Sequence, residues 1–355
     1  KGNNVINMEK FSFAADSIDQ DRIPQFLLSD GNKMPCIGYG TFGSDHVEPG
    51  VIAENVKVAL SLGYRLLDCA PAYENEKEIG VALKEVFETG LLRREDLFII
   101  SKLPNNRHNE RDVLAACAET LRDLQVDYLD LYLIHWPFPN YHTPGCDTHQ
   151  RDPYARPFFE EEYLMVWRQM EKLVEMGLVK SIGMSNMNIP KIESVWQEMK
   201  IKPVVNECEL HPHLRQDELI AYLKEKNVLP IAHTPLGSPH RPERDRTTED
   251  TNCLQDPAIL EIAQAHGIHP VSVVLKWAVQ RGTLPVPFSI SRSHILSNLQ
   301  CCTEDLLTNA EMEKINNIGT QCRLIKGTVL LWEGAPDWHC LWDEQGEIDR
   351  TGWKG

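Results

Sequence analysis

The chain has 355 residues, 42% of them hydrophobic and 25% charged, a composition that suits a globular protein with a sizeable core. Asp and Glu number 52 against 36 Lys and Arg, for a formal charge of −16. Such an acidic chain argues against the clustered cations of a nucleic-acid footprint or a polybasic membrane patch, and no apolar stretch approaches the ~20 residues of a spanning helix.

Residues 1–24 read as an N-terminal extension without the apolar core of a secretory signal. From Gln25 to Pro35, QFLLSDGNKMP predicts a β-hairpin on its Asp-Gly turn. Eight short apolar runs follow, at 36–41, 64–68, 97–102, 128–135, 179–184, 204–208, 228–233 and 283–288. Amphipathic stretches separate them, at about 52–62, 75–88, 110–124, 162–176, 189–199, 216–226, 259–281 (broken at Gly267) and 295–299. In the first of these, Ile52, Val56, Ala59 and Leu60 share one face of a helix. Eight strands each followed by a helix predict an α/β chain of the (β/α)8 TIM-barrel class over residues 25–320. Two connections, 137–161 after the fourth strand and 235–256 after the seventh, are long enough to be functional lids. Residues 321–355 form a tail with four of the eight Trp (332, 338, 342 and 353), expected to pack near the barrel mouth.

Ten cysteines are scattered along the chain with no C-x-x-C, so neither a zinc ribbon nor a thioredoxin-like site is indicated. In a chain this size the spread reads as unpaired thiols in a reducing compartment, the cytoplasm. The neighbouring Cys301 and Cys302 suggest a redox pair less readily than two ordinary thiols.

In a barrel of this class, chemistry sits at the C-terminal ends of the strands. The second run ends at Asp68, with Tyr73 five residues on; the third ends at Lys102 and the fourth at His135. A phenol ionises near pH ~10 and is a poor acid at neutrality, but a nearby ammonium lowers that value, and a carboxylate keeps the ammonium charged and placed. His135 is placed to donate a hydrogen bond to the carbonyl oxygen that Tyr73 protonates. The four together suit reduction of C=O by a delivered hydride. Taken singly, Asp68 reads as a helix cap, Lys102 as a rim lysine and His135 as a strand-end histidine; the joint placement argues otherwise.

Two rival readings come from the same chain. Gly38-Tyr-Gly40-Thr-Phe-Gly43 matches G-x-G-x-x-G, with Asp68 ending the next strand as a ribose-binding acid would. However, Pro49 and the residues before it intervene before any helix, so these glycines do not open one that could hold a pyrophosphate. A metal-dependent barrel hydrolase would use His211 and His213 with His135 and His233. Against it, no carboxylate ends the eighth run, and no metal site is expected.

GYRLLDCAPAYENEKEIG (63–80), LFIISKL (97–103), DLYLIHWP (130–137), GLVKSIGMSN (177–186) and ELHPH (209–213) together resemble the signature segments of the aldo-keto reductases. The similarity runs from about Gln25 to Cys322. The resemblance implies an NAD(P)(H)-dependent oxidoreductase interconverting a carbonyl and an alcohol, with Asp68, Tyr73, Lys102 and His135 as catalytic tetrad and Tyr73 as proton donor. It also implies a nicotinamide dinucleotide (NADP or NAD) extended across the strand ends. Ser185 and Asn186 would hold the nicotinamide carboxamide, Leu236 and Ser238 the pyrophosphate, and Ser289 and Asn298 the adenosine end. Thr41, Phe42 and Trp136 would line the mouth beside cofactor and substrate.

This chain departs from the family pattern at three places. Glu207 stands where a Gln usually meets the carboxamide, and an ionised glutamate donates no hydrogen bond back. His233 stands where a Tyr usually stacks on the nicotinamide ring. Phe288 and His294 stand where a Lys and an Arg commonly clamp the 2′-phosphate of NADP, so a weakened NADP preference is expected, with Arg292 as partial substitute. The substrate reading is a small carbonyl or alcohol, with a sugar or polyol as candidate. Phe138, Tyr141 and the tail Trp residues would stack on it; His142, His149, Arg151 and Asp152 would bond its hydroxyls. Pinning of the tail to the barrel is the competing role for the Trp residues. A largely non-catalytic, cofactor-holding subunit is the alternative to an enzyme.

Overall fold

The computed structural model describes residues 9–237 and 239–355. An antiparallel hairpin, β1 (Gln25–Leu27) and β2 (Lys33–Pro35), precedes eight parallel strands in sequential order. These are β3 (Tyr39–Gly40), β4 (Leu66–Asp68), β5 (Phe98–Leu103), β6 (Leu129–Ile134), β7 (Val179–Ser185), β8 (Val205–Glu209), β9 (Leu229–His233) and β10 (Leu284–Pro285). The Gly38 and Gly40 amides donate to the carbonyls of Pro285 and Pro287, at 3.1 and 2.9 Å, and close the sheet into a barrel.

Helices α1 (Pro49–Leu62), α2 (Glu76–Glu88), α3 (Asp112–Leu124), α4 (Glu160–Glu175), α5 (Ile189–Val195) and α6 (Asp217–Glu225) each follow one strand. Then come α7 (Pro257–His266) and α8 (Pro270–Gln280), separated at Gly267 as the sequence predicts, and α9 (Arg292–Gln300) after β10. Helix α10 (Asn309–Asn316), which no sequence pattern announced, starts on a reciprocal cap between Thr308 and Glu311. The helical face expected from Ile52, Val56, Ala59 and Leu60 is the buried face of α1.

Side chains alternate across each strand, so every second residue points into the barrel. Leu66, Ile100, Leu131, Leu133, Val205 and Ile231 fill its interior, with Leu28 and Met34 of the hairpin region packed into the same cluster. Leu67, Ile99, Tyr132, Ile134 and Ile182 face the other way, into the larger core shared with the helices. The inward rows continue toward the C-terminal ends: Leu66 to Asp68, Ile100 to Lys102, Leu133 to His135, Val205 to Glu207 and Glu209, Ile231 to His233. The period that packs the barrel thus delivers polar side chains to its mouth.

The glycine run at 38–43 has a packing role. A Cβ on Gly38 would lie 2.1 Å from Leu66 Cδ2, and one on Gly40 would lie 2.6 Å from the Val286 carbonyl oxygen. Helix α1 begins only at Pro49. These glycines let the closing strands approach, and the dinucleotide-fingerprint reading falls.

Candidate active site

Lys102 sits at the centre of the mouth and is 1% exposed. Its three ammonium hydrogens have three acceptors: Asp68 Oδ1 at 2.7 Å, the Cys69 carbonyl at 2.8 Å and the Tyr73 hydroxyl at 3.2 Å. Asp68 ends β4, and a short 3-10 turn (Pro71–Tyr73) swings Tyr73 back over the lysine. Its ring meets His135 edge to face at 6.0 Å and lies 5.1 Å from Phe42. The structure therefore brings together the Asp, Tyr, Lys and His that the strand ends nominated.

The expected acidity of Tyr73 needs correction. Burial pushes the phenol upward from its ordinary value, Lys102 pulls it down, and Asp68 and Glu207 push it up again, for a net rise. The ammonium moderates the effect of burial without overcoming it. Burial pulls Lys102 down, but the Asp68 and Glu207 carboxyls outweigh it and hold the ammonium well above its ordinary value. His135 is held well below its ordinary value by burial and by Lys102, so its imidazole is neutral.

Next to the tetrad, Asn186 takes a left-handed backbone conformation (φ 58°) and donates from Nδ2 to the His135 carbonyl at 2.9 Å. That bond fixes its amide, leaving Oδ1 to accept from His233 Nε2 at 3.2 Å. His233 Nδ1 then accepts from the Thr234 hydroxyl at 2.7 Å, which sets a single neutral tautomer. Burial holds His233 at about 4, so this ring carries no charge at neutrality.

The Ser185 hydroxyl donates to the Glu207 carbonyl at 2.9 Å, and that of Thr41 to the Asp68 carbonyl at 2.7 Å. Thr41 is fully buried, and this bond braces the loop after β3. Glu207, 1% exposed, faces Lys102 with Oε1 at 4.0 Å, and its Oε2 is buried without a partner.

Away from the tetrad, Tyr39 donates to the Ser289 carbonyl at 2.7 Å and packs near the half-buried Phe288. Leu236 is half-buried, His294 is exposed, and Asn298 is buried with Oδ1 unpartnered. Ser238 lies outside the described residues. Arg292, the proposed substitute for the missing phosphate clamp, is bidentate to Asp16 at 3.0 and 2.6 Å. Two buried acceptors, Glu207 Oε2 and Asn298 Oδ1, have no hydrogen-bond partner, at positions that the family resemblance assigns to opposite ends of an extended dinucleotide, and the residues present fit such a group.

Other expectations change. Phe138 is only 2% exposed and stacks on Trp136, so it offers no face to a substrate. Trp332 and Trp342 are buried, and their indole N–H groups donate to the Thr351 and Lys326 carbonyls. They pin the tail, while Trp342 lies 5.8 Å from Trp136. His211 bonds Glu209 at 2.7 Å, and His213 bonds Thr251 and Asp256, so the imidazoles of the hydrolase reading are engaged in fixing loops. Among the described residues no group of three His, Cys, Asp or Glu could hold a metal ion.

Sequence reasoning missed two acids. Glu76, buried under β5, accepts from Ser101 at 2.7 Å and Thr120 at 2.9 Å, and burial lifts it to about 7. Its place at the start of an acidic helix gave no sign of burial. Glu209 accepts the backbone N–H groups of Leu324 and Ile325 at 2.9 and 2.8 Å, strapping the tail to the end of β8. Burial would raise Glu209, yet the bond from His211, the charge of Arg323 and the Leu324 N–H together hold it at about 2.

Residues 36–320 match the family model of the aldo/keto reductase family. The chain is 40% identical over 320 residues to an aldo/keto reductase of Synechocystis sp., covering 90% of this chain and 96% of the relative. It is 41% identical over 300 residues to aldo-keto reductase family 1 member A1 of Bos taurus, covering 84% and 90%. It is also 41% identical to the Gallus gallus protein of that name, covering 84% and 89%. The activity is therefore a nicotinamide-dependent interconversion of carbonyl and alcohol, and the non-catalytic subunit reading is not favoured. With the barrel, the assembled strand-end residues and these relatives in agreement, this chain belongs to the aldo/keto reductase family.

Proposed function

We propose that Tyr73 is the proton donor in reduction of an aldehyde or ketone, with Lys102, Asp68 and His135 as its partners. The reading is carried by one observation: Lys102 donates to the Tyr73 oxygen, which leaves the phenolic hydrogen directed elsewhere, free for a substrate oxygen. A nicotinamide dinucleotide supplies the hydride when bound. Ser185, Asn186, Glu207 and His233 would hold its nicotinamide end; Leu236, Phe288, Ser289, His294 and Asn298 would line the path of the remainder.

A phenol raised by burial gives its proton readily only to a strong base. An oxygen that gains negative charge as its carbon is reduced is such a base, so proton transfer is coupled to the reduction itself. Lys102 stabilises the phenolate left behind, and Asp68 anchors the ammonium. Neutral His135 donates one N–H to the same oxygen and orients the carbonyl. In the oxidative direction the same groups run in reverse.

The missing cations at Phe288 and His294, with Arg292 engaged by Asp16, support NAD(H) use beside NADP(H). The exposed His149 and Arg151 of the loop after β6 support a hydroxyl-bearing carbonyl such as a sugar; Phe42 and Trp136 would form its apolar wall. Ten unpaired thiols support the cytoplasm as the working compartment. Among the described residues no single helix is long and apolar enough to cross a membrane.

Tyr73→Phe tests the assignment. The variant should retain dinucleotide binding, followed by quenching of Trp fluorescence, and lose about 10²–10⁴-fold in kcat for reduction. An undiminished kcat would overturn it.

A further inference from the structure

The Lys102 ammonium has three hydrogens, and all three are taken by Asp68, the Cys69 carbonyl and Tyr73. Glu207 faces the same ammonium from β8 at 4.0 Å but receives no hydrogen bond from it. Its Oε2 is sealed from solvent with no donor among the described residues, while Asp68 Oδ1 already occupies the same ammonium at 2.7 Å. An ionised carboxylate with an unsolvated, unbonded oxygen is among the most expensive groups to bury. Two ionised carboxyls beside one ammonium would also leave a net negative charge buried at the base of the mouth. A proton on Glu207 removes both penalties.

Among the described residues, the groups that face Glu207 leave no other source of compensation. From β4 comes Asp68, from β5 Lys102, and from the turn after β4 the Tyr73 hydroxyl. The adjoining strands bring no charge: β7 ends at Ser185, before Asn186, and His233 on β9 is neutral, as is His135 after β6. On its own strand, Glu209 is ionised and engaged with His211 and the tail.

We propose that Glu207 is a positioning residue of the reductase site: it keeps the single proton that it and Asp68 share beside Lys102, and so leaves the ammonium's field directed at Tyr73. The proposal rests on the reading of Tyr73 as proton donor and goes beyond it. Burial and the Asp68 charge push the Glu207 carboxyl well above the usual range, in the same direction as the geometry. A neutral Glu207 presents one donor and one acceptor, the pair an amide would present at this position. When it ionises, its charge raises Tyr73 further, and the phenol becomes a weaker acid.

Infrared difference spectra at neutral pH test this directly. Wild type minus Glu207→Gln should show the C=O stretch of a protonated carboxylic acid, displaced in heavy water. Wild type minus Asp68→Asn should show it too, because the remaining acid then becomes the ion partner of Lys102. The second comparison stands if Glu207→Gln does not fold. Absence of the band from both differences overturns the proposal. In kinetics, ionisation of Glu207 sets the alkaline fall of kcat for reduction, so Glu207→Gln, which cannot ionise, should move that fall upward by about one pH unit, a tenfold change in proton concentration. A uniform loss at every pH, with the limb unmoved, would assign Glu207 a merely structural role and sink the idea. The infrared band is independent of turnover, so a failure of the Tyr73 assignment would leave it in place.

Discussion

Lys191 of α5 and Asp343 of the tail form an ion pair sealed from solvent, with side chains 2% and 1% exposed. The Lys191 ammonium also donates to the Leu341 carbonyl at 2.9 Å, and Asn188 donates to the same Asp343 oxygen. Burial draws Lys191 below its ordinary value despite the Asp343 charge. Breaking a buried pair from one side strands a charge and costs about 3–5 kcal/mol. Asp343→Asn, which tolerates the left-handed backbone at this residue, should therefore lower stability by about 3 kcal/mol. Adding Lys191→Met should restore at least half of it. Chemical denaturation of the two single variants and the double variant measures the coupling; additive losses would show that the pair does not act as a unit.

Cofactor choice follows from Arg292 and Asp16. A charge-assisted hydrogen bond contributes about 1.5–3 kcal/mol, so restoring cations with Phe288→Lys and His294→Arg should raise NADPH affinity about 10- to 100-fold over NADH. Asp16→Asn, which releases Arg292, should shift the ratio the same way by a smaller factor. The wild-type KM ratio should favour NADPH by less than about 100-fold, the equivalent of two tenfold steps of 1.4 kcal/mol.

Glu76 gives a pH dependence of stability with a definite sign. Its folded-state value, about 7, lies above that of an unfolded glutamate, so the native state holds more protons between the two. Stability then falls as pH rises through that window and levels off above it. The melting temperature of the wild type should decline more steeply between about pH 4.5 and 7 than that of Glu76→Gln. Parallel curves would mean that this acid ionises normally in the folded protein.

Removing Glu209 should loosen the tail. Glu209→Ala leaves the N–H groups of Leu324 and Ile325 without acceptors, each costing about 1–3 kcal/mol when buried. The tail carries Trp342 to Trp136, so KM for the carbonyl should rise more than kcat falls. Limited proteolysis should cut the variant near residue 322 at protease levels that spare the wild type; equal resistance would place the anchor elsewhere, at Lys191 and Asp343.

Much of this was legible along the chain. Strand period, helix faces and the break at Gly267 are local properties, and the tetrad sits at strand ends because inward rows continue past the barrel core. Burial was not legible. Tyr73 was expected to be acidified by Lys102, but desolvation depends on everything packed around the ring, and it wins. Phe138 lies in a polar loop yet is buried and stacked on Trp136. Likewise Glu209 and Leu324 are more than a hundred residues apart, and nothing near either announces the other. The short helix α10 was missed because only Ile315 among its residues is buried, so it carries almost no apolar period.

The closing seam of the barrel has one further consequence. Across it Gly38 and Gly40 donate, while Pro285 and Pro287, which have no amide hydrogen, only accept. Bonding runs one way along this edge, so the cylinder has a built-in line of least resistance. When it breathes, the first gap should appear there, and amide exchange at Gly38 and Gly40 should outpace that at Leu131 and Leu133 on the opposite wall.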